Sequence, residues 1–168
     1  MVLLGLLVIL PSTLFGQEKR IRLEIGDCMS TKTSGSFHLT VTNMSNQPIV
    51  TYLPKTADIC LQILKIKFID LQNNKVHEFD PCTLIADLDH IILNSKNTLS
   101  LKPNEKFTQK VRFSKKDIFP YLKRGKSYKL FVEWRLEGVN FEKEVQFETD
   151  LNNLFQENVA SNKIDFRN

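Results

Sequence analysis

Apolar and polar side chains alternate with a period of two along most of the chain from residue 20 onward. The clearest run begins at Tyr128, and only Phe131 interrupts its polar face. The apolar positions of the best-defined runs are Ile21, Leu23 and Ile25; Phe37, Leu39 and Val41; Leu64, Ile66 and Phe68; Phe107, Val111 and Phe113; Tyr128, Leu130, Val132, Trp134 and Leu136; and Phe141, Val145 and Phe147. This alternation predicts β-strands that bury one face and expose the other.

Turn-forming residues separate these runs at the short intervals expected of hairpins. They include Asn43 to Pro48, the pair Asn73-Asn74, Lys102 to Glu105, and Gly138. No segment before Asp150 has a sustained helical period. We therefore predict an all-β fold, an antiparallel immunoglobulin-like (Greek-key) β-sandwich of about eight or nine strands that occupies residues 17–150.

The two ends of the chain lie outside this predicted domain. Residues 151–157 predict a short C-terminal helix, and the polar stretch 158–168 predicts a frayed tail. At the other end, residues 1–16 carry no charged side chain and begin with an apolar run too short to span a bilayer, for which about 20 residues are needed. We interpret them as a signal peptide cleaved after Gly16, although a basic segment at the start is missing. The alternative is an apolar first strand.

The residues around Gly16 also bear on where the mature chain resides. Leu14-Phe15-Gly16 resembles a bacterial lipoprotein cleavage site, but Gln17 stands where the lipidated cysteine would be, so we expect no lipid anchor. A Gln after the cleavage site resembles secreted proteins of the Bacteroidetes. The resemblance implies a periplasmic or extracellular protein of a Gram-negative bacterium, with no transmembrane segment in the mature chain.

Three cysteines are present, and an odd number in an oxidising compartment suggests one disulfide and one remaining thiol. Cys60 and Cys82 flank the predicted strand pair around Asn73-Asn74, which favours a bridge between them. Pairing of Cys28 with either of the two, or three free thiols, are the alternatives.

Two motifs resemble known β-sandwich families. Leu122-x-x-Gly125-x-x-Tyr128 is similar to the tyrosine corner of immunoglobulin-like and fibronectin-like domains, which implies a hydrogen bond between the Tyr128 hydroxyl and upstream backbone. From Phe37 to Leu136 the order of motifs resembles the non-catalytic immunoglobulin-like domain associated with deuterolysin-type metallopeptidases and small secreted Bacteroidetes proteins. The quoted features are Phe37-x-Leu39-x-Val41-Thr42-Asn43-x-Ser45-x-x-Pro48-Ile49, Leu101-Lys102-Pro103-Asn104-Glu105 with Asn104 where the family usually has Gly, Phe113-Ser114, and Gly125-x-x-Tyr128.

Peptidase activity is not implied by this resemblance, because no His-Glu-x-x-His motif is present. His77-Glu78 is followed by Phe79, and Pro81 would end a helix there. Neither a Gly-x-Ser-x-Gly motif nor a glycine-rich phosphate loop occurs. We therefore predict no catalytic residue, no cofactor and no enzymatic activity. Asp87, Asp89 and His90 form a candidate metal-binding loop, with a solvated loop as the alternative.

The formal net charge is +4, and basic residues are concentrated between Lys106 and Lys126. Such a surface can bind an anionic partner, or it can be a solvated face whose lysines discourage strand association. The candidate binding residues are Tyr121, Lys123, Arg124, Lys126 and Phe131. Phe131 could instead be covered by residues 118–122 or by Leu154-Phe155.

These observations together predict a secreted, non-enzymatic binding module with a protein partner. One form of this prediction is an inhibitor or immunity-type protein, and nucleic acid is not expected as a partner. The alternatives are a metal-binding protein or enzyme that uses the Asp87, Asp89 and His90 loop, and a structural envelope or adhesion component.

Overall fold

A computed structural model describes residues 20–53, 63–79, 90–118 and 122–168. These residues form thirteen strands and one single-turn helix. The elements are β1 (Ile21–Ser30), β2 (Ser34–Asn43), β3 (Ile49–Tyr52), β4 (Leu64–Asp70), β5 (Val76–Phe79), β6 (His90–Leu93), β7 (Thr98–Leu101), β8 (Lys106–Ser114), α1 (Lys115–Ile118), β9 (Ser127–Trp134), β10 (Asn140–Lys143), β11 (Leu154–Phe155), β12 (Val159–Ala160) and β13 (Ile164–Arg167). The predicted all-β class is confirmed.

Two antiparallel sheets form the body of the fold. One has the order β1-β2-β8, and the other has the order β12-β9-β4-β5, with β13 also paired to β9. Their apolar faces share one core, in which Phe68 of one sheet contacts Phe113 of the other with ring centroids 6.1 Å apart. Aromatic side chains are therefore concentrated where the sheets face each other.

Smaller strand pairs complete the fold and differ from the prediction. β3 pairs with β7 in antiparallel fashion, but β11 joins β3 and β10 joins β6 in parallel. The predicted antiparallel arrangement thus holds for the main sheets, but the described residues add two short parallel pairs and more strands than the eight or nine predicted. The additional strands are only two to four residues long, which is too short for alternation to identify them.

The predicted inward positions are confirmed for the long strands. Tyr128, Leu130, Val132 and Trp134 of β9 are all buried, and so are the corresponding positions of β1, β2 and β4. The prediction fails after β10. That strand ends at Lys143, and Val145 is 99% exposed because it lies in the turn that follows rather than in a strand.

The C-terminal residues do not form the predicted helix or a frayed tail. Leu154–Phe155 is a strand beside β3, whereas β12 and β13 pair in succession with the free edge of β9. Phe155 and Phe166 are fully buried. The physical reason is that the edge of β9 presents unpaired backbone groups, and these strands satisfy them.

The tyrosine corner is present. The backbone N–H of Lys123 donates a hydrogen bond of 2.8 Å to the hydroxyl oxygen of Tyr128. Gly125, in the loop that the corner holds, has a φ of +76°, a conformation that glycine adopts without strain. Within the described ranges, no helix has the length and apolar character required to cross a membrane.

Candidate functional site

Four segments distant in sequence meet around one cavity of about 770 Å³. They are the turn after β1, the start of α1, the loop before β9, and the end of β13. Each segment contributes one cation. We call the cavity with Lys32, Lys115, Arg124 and Arg167 the basic pocket.

Backbone hydrogen bonds hold the segments of the basic pocket together. The N–H of Lys115 donates to the carbonyl oxygen of Thr33 at 2.9 Å, which joins α1 to the turn after β1. The Ser30 hydroxyl donates to the carbonyl oxygen of Arg167 at 3.0 Å. The N–H of Gly125 donates to the Asn168 oxygen at 2.7 Å. The fold therefore fixes the backbone positions from which the four cations project.

The turn that carries Lys32 is also internally bonded. The Thr31 hydroxyl oxygen accepts hydrogen bonds from the N–H groups of Thr33 and Ser34 at 3.3 and 3.0 Å. This is a local side-chain-to-backbone arrangement that stabilises turns. Lys32 is consequently presented at the tip of a defined turn rather than on a long loop.

Lys115 is the most buried cation of the pocket, with only 5% of its surface exposed. Its ammonium lies 5.8 Å from the ring centroid of Phe166, within the range of a cation–π interaction. Burial lowers the pKa of Lys115 below the ordinary lysine value, and the positive charge of Arg124 lowers it further, while Cys28 opposes both effects. The lowered pKa indicates a locally positive and partly desolvated environment.

No Asp or Glu side chain from the described part of the chain lines the basic pocket. Asp165 lines a neighbouring cavity, together with Cys28 and Ser127. Asp165 has its own partner, because its carboxylate lies 2.8 Å from the Lys129 ammonium. Among the side chains that the structure describes, which do not include that of Asp117 on α1, no carboxylate lies with the four cations of the pocket.

The candidate binding residues predicted from sequence are only partly brought together. Arg124 lines the basic pocket, and Lys123 is exposed beside it. Lys126 is half-buried, and its ammonium donates a hydrogen bond to the Gln72 side chain. Tyr121 lies outside the described residues.

Phe131, one of the predicted binding residues, is not a surface aromatic. It is only 9% exposed and lies between two lysines, with the ammonium groups of Lys67 and Lys163 at 5.9 and 5.6 Å from its ring centroid. The aliphatic stems of such lysines cover apolar surface while their charges stay in water. Phe131 therefore interrupts the polar alternation because charged neighbours cover it.

Sequence reasoning missed two residues of the basic pocket altogether, Lys32 and Arg167. Lys115 fell within the basic run between Lys106 and Lys126 but was not distinguished from its neighbours. Nothing in the local pattern around Lys32 or Arg167 signals a shared location. Only the pairing of β13 with β9 and of β2 with β8 brings them to one end of the fold.

The candidate metal loop is represented in the structure by His90 alone, since Asp87 and Asp89 lie outside the described residues. His90 Nε2 lies 3.1 Å from a carboxylate oxygen of Glu142 on β10. Across the described ranges, no three His, Cys, Asp or Glu side chains form a group able to hold a metal ion. Cys28 is a free thiol, and the proposed Cys60–Cys82 disulfide also falls outside the described residues.

A second charged surface covers the outer face of the β9-β4-β5 sheet. We call it the paired face; its members are Lys65, Lys67, Glu78, Glu133 and Arg135. The Lys67 ammonium lies 2.8 Å from Glu133, and that of Lys65 lies 2.5 Å from Glu78. Burial by itself raises the pKa of Glu133, but hydrogen bonds from Lys67 and Arg135 outweigh it and hold the pKa below the ordinary value.

Comparison with known proteins does not identify a family. No protein-family profile and no curated protein matches this chain. Among solved structures, β-glucosidase from Kluyveromyces marxianus matches 67% of this chain at 14% identity and a TM-score of 0.35. Its complex with glucose matches 77% of this chain at 14% identity and a TM-score of 0.38.

The chain spans only 12–14% of the length of that β-glucosidase. The Northeast Structural Genomics Consortium target SoR45 is matched over 88% of this chain and 83% of its own, at 11% identity and a TM-score of 0.29. Similarities this weak assign neither a family nor an activity to the chain.

Proposed function

We propose that this chain is a secreted, non-enzymatic binding module that engages an acidic protein partner at the end of the fold that carries the basic pocket. The observation that supports this is the convergence of Lys32, Lys115, Arg124 and Arg167 from four segments without a carboxylate side chain among the described residues. Clustered charge of one sign steers an oppositely charged partner and orients its approach. Lys123, exposed on the adjacent loop, extends the same surface.

Loops at the end of a rigid β-fold are a common location for binding residues. The hydrogen bonds of the Tyr128 corner and of Gly125 hold the loop that carries Arg124. We further propose that the fold is of the immunoglobulin-like Greek-key type. Asn104 has a φ of +62°, which is consistent with a position where the resembling family usually has Gly.

The version of this function that we favour is an inhibitor or immunity-type protein that blocks a peptidase or toxin. It draws on the resemblance to a peptidase-associated domain and on the absence of the His-Glu-x-x-His motif from this chain. Residues 1–16 support a location in the periplasm or outside the cell, because they have the character of a signal peptide.

Affinity capture from the native envelope fraction tests this proposal. The wild-type chain should retain a specific protein, and a double variant with Lys123→Glu and Arg124→Glu should lose it because the local charge is reversed. The control is the double variant Lys106→Glu and Lys110→Glu, which places the same charge change on β8, outside the lining of the pocket. Recovery of the wild-type chain only as a free monomer would contradict the proposal, as would equal capture by the double variant.

A further inference from the structure

We infer that the basic pocket binds a tetrahedral oxyanion, namely the phosphate or sulfate group of an ester. Only the identity of the molecule that carries the phosphate or sulfate group rests on the proposed function. The pocket itself is defined by its own residues. It is lined by Lys32, Lys115, Arg124 and Arg167 together with Ser30, Thr31 and Asn168, and no Asp or Glu takes part among the side chains that the structure describes.

Lys115 is a largely buried residue, with 5% of its surface exposed. Partial desolvation of a cation is costly unless a counter-charge lies close to it. The aromatic ring of Phe166 gives only partial compensation at 5.8 Å. An anion that enters the cavity would supply the counter-charge and relieve the repulsion that Arg124 exerts on Lys115.

The types of donor favour a tetrahedral oxyanion over a single carboxylate. Two guanidinium groups and two ammonium groups border one cavity, which is more donor capacity than the two oxygens of a carboxylate can use. Phosphate and sulfate present oxygens in several directions and can accept from donors on different sides. Arginine forks match phosphate in a bidentate manner, while lysine contributes a point charge.

The backbone of the pocket is already positioned for such a ligand. Lys115 is tied to the turn of Lys32 through Thr33, and the end of β13 is tied to β1 through Ser30 and to the Arg124 loop through Gly125. Binding therefore requires ordering of side chains but little rearrangement of the chain. Preorganisation of this kind reduces the entropic cost of binding. The volume of about 770 Å³ leaves space for the remainder of an ester beyond its anionic group.

Titration of the mature chain with inorganic phosphate and, separately, with inorganic sulfate tests the inference. Backbone amide NMR shifts are followed at constant ionic strength, with chloride as the reference anion. We expect saturable shifts confined to residues 30–34, 122–126 and 166–168. Lys115→Met and Arg124→Gln should each weaken binding about tenfold, because each removes a charged donor. Lys106→Met should bind as the wild type does.

Arg124→Gln is the safeguard against a folding defect in Lys115→Met. Arg124 lies in an exposed loop, so its substitution leaves the core untouched. Uniform shifts that match those with chloride would overturn the inference, as would affinity unchanged in both variants. Tighter binding of phosphate would assign a phosphate ester, and tighter binding of sulfate a sulfate ester. If neither anion binds but the envelope partner is still captured, the inference fails and the proposed function stands. If an anion binds but no partner is captured, the proposed function fails and the inference stands.

Discussion

The paired face and the basic pocket hold similar lysines in opposite electrostatic surroundings. The side chain of Lys67 is 13% exposed and lies between Glu78 and Glu133, at 3.8 and 2.8 Å. Lys115 is 5% exposed and has an aromatic ring and a second cation as neighbours instead. Burial alone therefore does not determine whether a lysine is structural. Its partners distinguish a charge that stabilises the fold from one available to a ligand.

Strand register explains the difference between the two regions. In the backbone register, Lys65 lies opposite Glu133 across β4 and β9, and Lys67 lies opposite Glu78 across β4 and β5. The sheet itself therefore places opposite charges side by side. The basic pocket instead lies beyond the strand ends, where four connecting segments meet. Its charges are brought together by chain topology rather than by cross-strand pairing.

The largest effect on stability is expected when the paired face is broken. Lys67→Met keeps the aliphatic cover over Phe131 but removes a hydrogen-bonded counter-charge from Glu133, which should cost about 1–2 kcal/mol of unfolding free energy. Urea denaturation measures this cost. Lys129→Met is the matched control, since its partner Asp165 is mostly exposed and the loss should be smaller. An equal cost in both variants would contradict the distinction.

The same substitution should change how stability depends on pH. Glu133 has a lowered pKa in the folded protein, so its contribution is present above the ordinary Glu value and is lost as the pH falls through the lowered one. Without Lys67 the pKa of Glu133 should rise toward the ordinary value, so the loss of stability that Glu133 contributes on acidification should become smaller. Denaturation midpoints measured between neutral and acidic pH would show this, and identical profiles would argue against it.

The next largest effect should come from the tyrosine corner, which supports the basic pocket but not the paired face. Tyr128→Phe removes the acceptor of the Lys123 N–H and should cost about 1 kcal/mol. Because that bond holds the loop of Arg124, phosphate affinity should also fall, whereas the pKa of Glu133 should not change. Calorimetric titration and denaturation measure the two effects. Unaltered stability would contradict a role for the corner hydrogen bond.

A smaller effect of opposite sign is expected for Lys115→Met. Removing a buried cation that has no carboxylate partner among the described side chains should leave stability unchanged or raise it by up to about 1 kcal/mol, while anion binding weakens about tenfold. The wild type should gain stability as the pH rises from the lowered pKa of Lys115 toward the ordinary lysine value, because the unfolded chain binds more protons there. The variant should lack this gain. A loss comparable to that of Lys67→Met would remove the contrast between the regions.

The smallest effect should appear at Cys28, which senses the charge of the basic pocket. Burial raises the pKa of its thiol, and the positive charge of Lys115 opposes part of that rise. Lys115→Met should therefore raise the pKa further and slow alkylation by about twofold, since the thiolate is the reactive form. Peptide-resolved mass spectrometry of iodoacetamide labelling separates Cys28 from the other two cysteines. Lys106→Met is the control, and faster labelling in Lys115→Met would contradict the expected coupling.

Prediction from sequence succeeded where structure is local and repeated. The strands of β1, β2, β4 and β9 each place at least three apolar residues on one face, so their period is detectable. The corner at Tyr128 was predicted because its spacing is itself a motif. Prediction from sequence failed for β11, β12 and β13, because strands of two to four residues are too short to show a period. The lysines beside Phe131 were not predicted, because side chains that cover a ring leave no mark in an alternation pattern.

The amino-acid sequence by itself determined the all-β class, the inward face of the long strands and the hydrogen bond of Tyr128, because backbone geometry imposes these within a few residues. Only the tertiary structure decided which charges have partners. Lys67 meets Glu133 through the register of β4 and β9, and Lys115 lines the same cavity as Arg124 and Arg167 because β13 closes the edge of β9. Electrostatic interactions act through space rather than along the chain, so the basic pocket exists only after the fold has formed.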